Sequence, residues 1–164
     1  MLKLLNMFGA ALLLFALLTS CEMHSSDNGD LDNWWYLRQI DDLTADTQED
    51  VVAKKVFWGY IGNMMHTEGG GAGRFFFRFE HSGNTLRIYD ARYDAKKSGD
   101  PLLDPTVSDD KDKIDNDLPK QGIHLRQNSD GKLEETFTVE HIDGETMTLV
   151  NEDNTYRLHF EAWQ

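Results

Sequence analysis

Cys21 is the single cysteine in a chain of 164 residues, and its thiol is the most nucleophilic side chain the sequence holds. Other residues invite chemistry by their spacing. Asp110, Asp112, Asp115 and Asp117 crowd into "SDDKDKIDND" and suggest calcium. An EF-hand loop needs Gly at its sixth position and Glu at its twelfth. Counting from Asp110 gives Asp115 and Gln121, and from Asp112 gives Asp117 and Ile123, so the segment reads as a solvated acidic loop and no metal site is expected. "HTEGGGAGR" suggests a phosphate cradle, but such a loop opens a helix. Here Phe75, Phe76 and Phe77 follow at once as strand, so Gly69 to Gly73 reads as a hairpin at a rim. The six histidines lack zinc-ligand spacing, and His141 and His159 are expected on outward faces of neighbouring strands. There is no Gly-x-Ser-x-Gly. Carboxylates are too abundant for any pair to carry information. The sequence makes no positive case for an enzyme or a cofactor.

Cys21 closes the stretch "MLKLLNMFGAALLLFALLTSC". Lys3 leads into an apolar run shorter than a membrane-spanning helix needs, and small Thr19 and Ser20 follow it. This is the layout of a secretory signal peptide. Leu18-Thr19-Ser20-Cys21 resembles the lipobox of bacterial lipoproteins. That resemblance implies a signal peptide over residues 1–20, a diacylglycerol on the Cys21 thiol, cleavage before the cysteine, and acylation of the new amino group. Only a thiolate is nucleophilic enough near neutral pH to form the thioether. A single acyl chain holds marginally, at about 0.8 kcal/mol per buried methylene, whereas three would hold durably. Residues 21–32 are then a polar, flexible tether and residues 33–164 the folded domain, in a protein held at the outer membrane, on its periplasmic face or at the cell surface. An acylated Cys21 leaves no thiol for a disulfide, so stability must come from one apolar core. The net charge of −13 argues against nucleic acid or an anionic membrane surface as partner, leaving the lipid as the expected membrane contact.

The elements beyond the tether alternate apolar and polar residues, and helical periodicity is scarce. "NWWYLRQI", "VFWGYIGNM", "GRFFFRFEH", "TLRIYDARY", "GIHLRQ", "LEETFTVEHI", "TMTLVN" and "TYRLHFEAW" read as eight strands with mostly short connections. Eight closes a small barrel. "DTQEDVVAKK" is the one segment expected to form a short helix, capped by Asp46 or Thr47. In "FEHSGNTL", Phe79 is expected opposite Leu86 and Phe77 opposite Ile88. In "FTVEHIDGETMTLV", a two-residue Asp143-Gly144 turn would bury charge. A wider turn instead pairs Ile142 with Met147, and a bulge at Glu140-His141 lets Val139 meet Leu149. Tyr156, Leu158 and Phe160 then face inward. Residues 95–122 form a long acidic connection whose Leu102, Leu103, Val107, Ile114 and Leu118 are expected in part to pack back on the barrel, as a lid.

"LDNWWYL" is similar to the Leu-x-Gly-x-Trp-x-Leu opening of lipocalin-like domains, carried here by Leu31, Trp35 and Leu37, with Asn33 in place of the glycine. The closing strands, "FTVEHIDGETMTLVNEDNTYRLHFEAW", resemble those of small lipocalin-like lipoproteins of Gram-negative bacteria. The resemblance implies an all-β, eight-stranded up-and-down antiparallel barrel of calycin type, whose N-terminal Trp plugs the closed end. It does not name a ligand. The aromatic residues either fill such a barrel or line a cup at its open end. Trp58, Tyr60, Phe75, Phe77, Tyr156 and Phe160 are the candidate ligand-binding residues. The expectation is a lipid-anchored envelope protein that binds a small hydrophobic ligand at the barrel mouth. The alternative is a non-enzymatic structural or interaction protein with a packed barrel and an acidic contact loop.

Overall fold

The computed structural model describes residues 28–94 and 101–163. Cys21 and the preceding apolar run lie outside them. The strands are β1 (Trp34–Asp42), β2 (Thr47–Asp50), β3 (Phe57–Ile61), β4 (Met64–Gly69), β5 (Ala72–Ser82), β6 (Thr85–Tyr93), β7 (Arg126–Gln127), β8 (Leu133–Ile142), β9 (Thr146–Asn151) and β10 (Tyr156–Ala162). All pairings are antiparallel, and β10 returns to β1, closing the sheet. Eight strands make the wall, because β2 pairs only with the far half of β1 and β7 only with β8. The eight-stranded up-and-down barrel expected from the sequence is therefore present, but two of its members differ. "MMHTEG" is a wall strand that the alternation did not show, and "GIHLRQ" contributes only the two-residue β7.

The hairpins show how register is set. At β8–β9, Ile142 pairs with Met147, His141 with Thr148 and Val139 with Leu149, with the irregularity between Val139 and His141, as burial of the apolar set required. At β5–β6 the turn is tighter than expected. Ser82 pairs with Thr85, so Phe79 faces Ile88 and His81 faces Leu86. The offset is even, so the same side chains still face inward. His141 and His159 both pair with Thr148, from opposite sides, so β9 separates them.

The expected helix at residues 46–55 is absent. Thr47–Asp50 is strand β2, fully exposed, and Val52–Lys54 is a single 3-10 turn. Backbone pairing with the upper half of β1 wins there over helix propensity. The one short α-helix among the described residues, α1 (Ser108–Asp112), lies instead in the acidic connection, followed by tighter and wider turns through Gln121.

One end of the barrel is closed from the N-terminal side. Leu31 and Trp35 are fully buried, and the Trp35 indole N–H donates to the Leu31 carbonyl at 3.2 Å. The last residues of the expected tether are therefore part of the fold. Asn28 donates its side-chain amide to the Gly62 carbonyl at 2.7 Å, and Gly29–Leu31 is a 3-10 turn. The other end is covered by the acidic connection, whose Leu103, Ile114 and Leu118 are buried while Leu102 and Val107 are exposed.

Candidate functional site

The covered end is where polar and titratable groups converge. Gln121 hangs from the acidic connection into the barrel and is fully buried. Its amide donates to the carbonyls of Gly69 and Gly73 at 3.0 and 2.8 Å, and its oxygen accepts from the Thr67 hydroxyl. Its backbone carbonyl accepts from the Trp58 indole N–H at 2.9 Å. The glycine-rich turn makes this possible. Gly69 has φ of +104°, and a Cβ there would stand 1.8 Å from the Lys55 carbonyl oxygen. A Cβ on Gly73 would strike the Tyr93 ring at 2.2 Å. These glycines are a packing requirement of the capped rim.

From Gln121 the chain passes Ile123, fully buried, and runs as a strap over the mouth through His124 and Arg126. A cleft of about 440 Å³ opens between this strap and the β1–β2 hairpin, with Ile40 and Tyr156 among its lining. A second, of about 210 Å³, opens on the strap's other side against β8 and the β9–β10 turn. His124 and Arg126 line both.

Glu135 lies beneath the strap with 8 % exposure. The His124 backbone N–H donates to its carboxylate at 2.6 Å, and the Tyr156 hydroxyl donates to its other oxygen. Burial pushes the Glu135 carboxyl up to about 7, against the opposing pull of those two hydrogen bonds and of Arg126. Burial, and next the Glu135 charge, hold the Tyr156 phenol well above its usual value. Burial, with Arg126 adding to it, pulls the His124 imidazole down. Its ring sits 4.8 Å from that of Tyr156. Arg126 pairs with Asp153 at the rim. A buried carboxylate with a shifted affinity for protons, at the floor of a cleft, makes this end of the barrel the candidate site.

Of the six residues expected to bind a ligand, only Tyr156 lines a mouth cleft. Trp58, Tyr60, Phe75, Phe77 and Phe160 are buried among themselves and their neighbours. Trp58 packs on Phe160 and Phe137 at 4.9 and 5.8 Å, and Tyr60 meets Phe79 edge-on at 5.1 Å. Their side chains fill the interior. The Tyr60 hydroxyl is the one buried side-chain polar atom among the described residues without a hydrogen-bond partner. The sequence reasoning missed His124, Arg126 and Glu135. Glu135 carried a signal, because it shares the inward face of β8 with Leu133, Phe137 and Val139.

The acids of the connection are engaged locally. Lys111 pairs with Asp115 at 2.5 Å, Lys113 with Asp110 at 3.1 Å and Lys120 with Asp117 at 2.8 Å. No cluster of groups able to hold a metal ion occurs among the described residues.

A closed antiparallel barrel, plugged at one end by an N-terminal Trp and crossed at the other by a strap over buried polar groups, defines a lipocalin-like protein. The chain belongs to the family described as the lipocalin-like domain, whose model matches residues 16–162. Among solved structures it is similar to a lipocalin-like protein from Bacteroides uniformis, with 23% identity and a TM-score of 0.53, over 82% of this chain and 100% of that one. A protein from Burkholderia xenovorans matches with 11% identity and a TM-score of 0.48, over 81% of this chain and 83% of that one. No curated protein matches the chain.

Proposed function

We propose that this is a lipid-anchored envelope protein whose barrel takes a small ligand at its mouth, under the His124–Arg126 strap. The observation that carries the reading is the pair of clefts meeting over the Glu135–Tyr156 hydrogen bond. A packed interior redirects the expected hydrophobic ligand. Its apolar part would lie against Ile40 and Tyr156 in the larger cleft, and its polar group would point to His124 and Arg126. Such a ligand is a small amphiphile, held by apolar contact and oriented by a few polar groups. Displacing the acidic connection would admit it deeper, toward Trp58. The lipid anchor rests on the Leu18-Thr19-Ser20-Cys21 motif, and mass spectrometry of the mature N-terminus tests it: an unmodified thiol would overturn it.

Titration with fatty acids, haem and bile-like amphiphiles, followed by NMR, tests the ligand. Saturable one-site shifts at His124, Arg126 and Tyr156 support the reading. No saturable shift across that panel sinks it. The filled interior favours a second reading, in which the barrel is a scaffold and the acidic connection contacts another envelope protein. Cross-linking in intact cells separates the two. A partner lost on reversing the charges of Asp109 and Asp112, which are exposed, belongs to the second.

A further inference from the structure

The outer wall carries an aromatic band that the core does not use. Outward positions on adjacent strands bring together Trp34 and Tyr36 of β1, Phe57 of β3, His66 of β4 and Phe76 of β5, with Trp163 following β10. Tyr36 stacks on Phe57 at 4.8 Å, Trp163 meets both edge-on at 5.7 and 5.2 Å, and Trp34 meets His66 at 4.4 Å. Gly59 lets the rings lie down on the wall, since a Cβ there would stand 3.1 Å from His66 and 3.4 Å from Trp34. Trp34 and Trp163 remain 36% and 56% exposed, beside an open groove of about 360 Å³. Ile61 and Met64 continue the face toward the plugged end and are 68% and 36% exposed. Four of the seven exposed large hydrophobic residues described thus gather on one surface, whereas chance would scatter them over the molecule.

Two further observations name what covers it. The charges bordering the face balance, three arginines against three acids: Arg38 pairs with Glu161 at 3.5 Å, Arg74 with Glu68 at 3.3 Å, Arg78 is bonded to Asn63, and Asp32 accepts from the Asn28 amide at 2.8 Å. In a chain of net charge −13, this border is close to neutral, so the general repulsion from an anionic surface is weaker here. The chain also enters the fold beside this face, because Asn28 is tied to Gly62, between Ile61 and Met64. Cys21 is seven residues upstream, a reach of at most about 25 Å.

We infer that this face docks on the bilayer itself, with Trp34 and Trp163 at the headgroup level and Ile61 and Met64 directed into the interface. Tryptophan favours that depth because its ring is apolar and its N–H is polar. The mouth, at the opposite end, then points away from the membrane. The location of the face matches the anchor proposed at Cys21, but its affinity for lipid is a property of the barrel and is measured without the anchor.

The test uses the unlipidated chain from Glu22 to Gln164, which retains every core residue described, with vesicles of phosphatidylcholine alone or mixed with phosphatidylglycerol. Cosedimentation and quenching of Trp fluorescence by brominated lipid are expected for the parent, with partition about tenfold or more weaker in a Trp34→Ala/Trp163→Ala variant. Ile61→Ser/Met64→Ser, at exposed positions, should weaken partition in the same direction, and circular dichroism checks that both variants fold. Partition of the parent no stronger than that of either folded variant overturns the inference. So does a dimer, seen by sedimentation equilibrium, that the variants lose. An unmodified Cys21 with vesicle binding intact would sink the anchor and leave this face standing.

Discussion

At the scale of single residues, Glu135 has the clearest consequence. Its carboxyl titrates near 4.5 when unfolded and at about 7 in the fold, mainly because it is buried. Below pH 4.5 both states hold the proton and the group adds no pH dependence. Between there and about pH 7 the unfolded chain has lost the proton and the fold keeps it, so stability falls as pH rises, by about 3 kcal/mol in all. Above that window the loss is complete and flat. Glu135→Gln should abolish this slope and be the more stable protein at pH 8, as read from urea midpoints across pH. His124 acts in the opposite sense, because burial, with Arg126, depresses its imidazole and acid therefore favours the unfolded chain. That slope should survive in the variant. Tyr60 gives a second expectation. Its hydroxyl is buried without a partner among the described residues, so Tyr60→Phe should raise stability by about 1 kcal/mol in chemical denaturation.

The acidic connection packs back on the barrel in part, as its apolar residues led one to expect, through Leu103, Ile114 and Leu118 but not Leu102 or Val107. Its composition predicts a solvated loop, and its charges are indeed on the outside. What fixes it is a few inward groups: Gln121, Leu118, Ile114 and Ile123, with Lys113 lying 4.9 Å over the Tyr93 ring and Leu103 N–H donating to the Ala91 carbonyl at 2.8 Å. Gln121→Ala should therefore act on the whole cap. It leaves Thr67, Gly69 and Gly73 with unmet polar atoms, and a loss of about 3 kcal/mol is expected. Hydrogen exchange should speed up at Trp58 and residues 113–123 before it does in β8–β10. Uniform acceleration through the barrel would show that the cap has no independence. β4 and β2 show the limits of pattern reading. β4 turns Met65 and Thr67 inward, and Thr67 is acceptable there only because Gln121 meets its hydroxyl.

For the whole molecule, charge and topology act at different ranges. Many acids lie around the mouth and its cap, several of them paired with lysines, while two of the arginines bordering the aromatic face are paired with glutamates. Proximity to a bilayer would follow from the anchor proposed at Cys21. In the producing cell, Cys21→Ser should move the protein from the membrane fraction to the soluble fraction, measured by fractionation against an integral marker. Retention after that change, lost only on adding the Trp34 and Trp163 substitutions, would assign anchoring to the wall instead of the lipid.

The sequence by itself determined the barrel, its inward faces and its N-terminal plug. Period-two alternation is a local property, and the cost of burying charge selected one register at residues 137–149. The sequence also carries the Leu18-Thr19-Ser20-Cys21 motif on which the proposed anchor rests. Only the tertiary structure decided that the interior is full, that the acidic connection reaches in through Gln121, and that Glu135 meets Tyr156 and His124 beneath a strap. Those contacts join residues up to 63 apart in the chain, and whether space remains between packed rings depends on side-chain volume in three dimensions, which no one-dimensional pattern records.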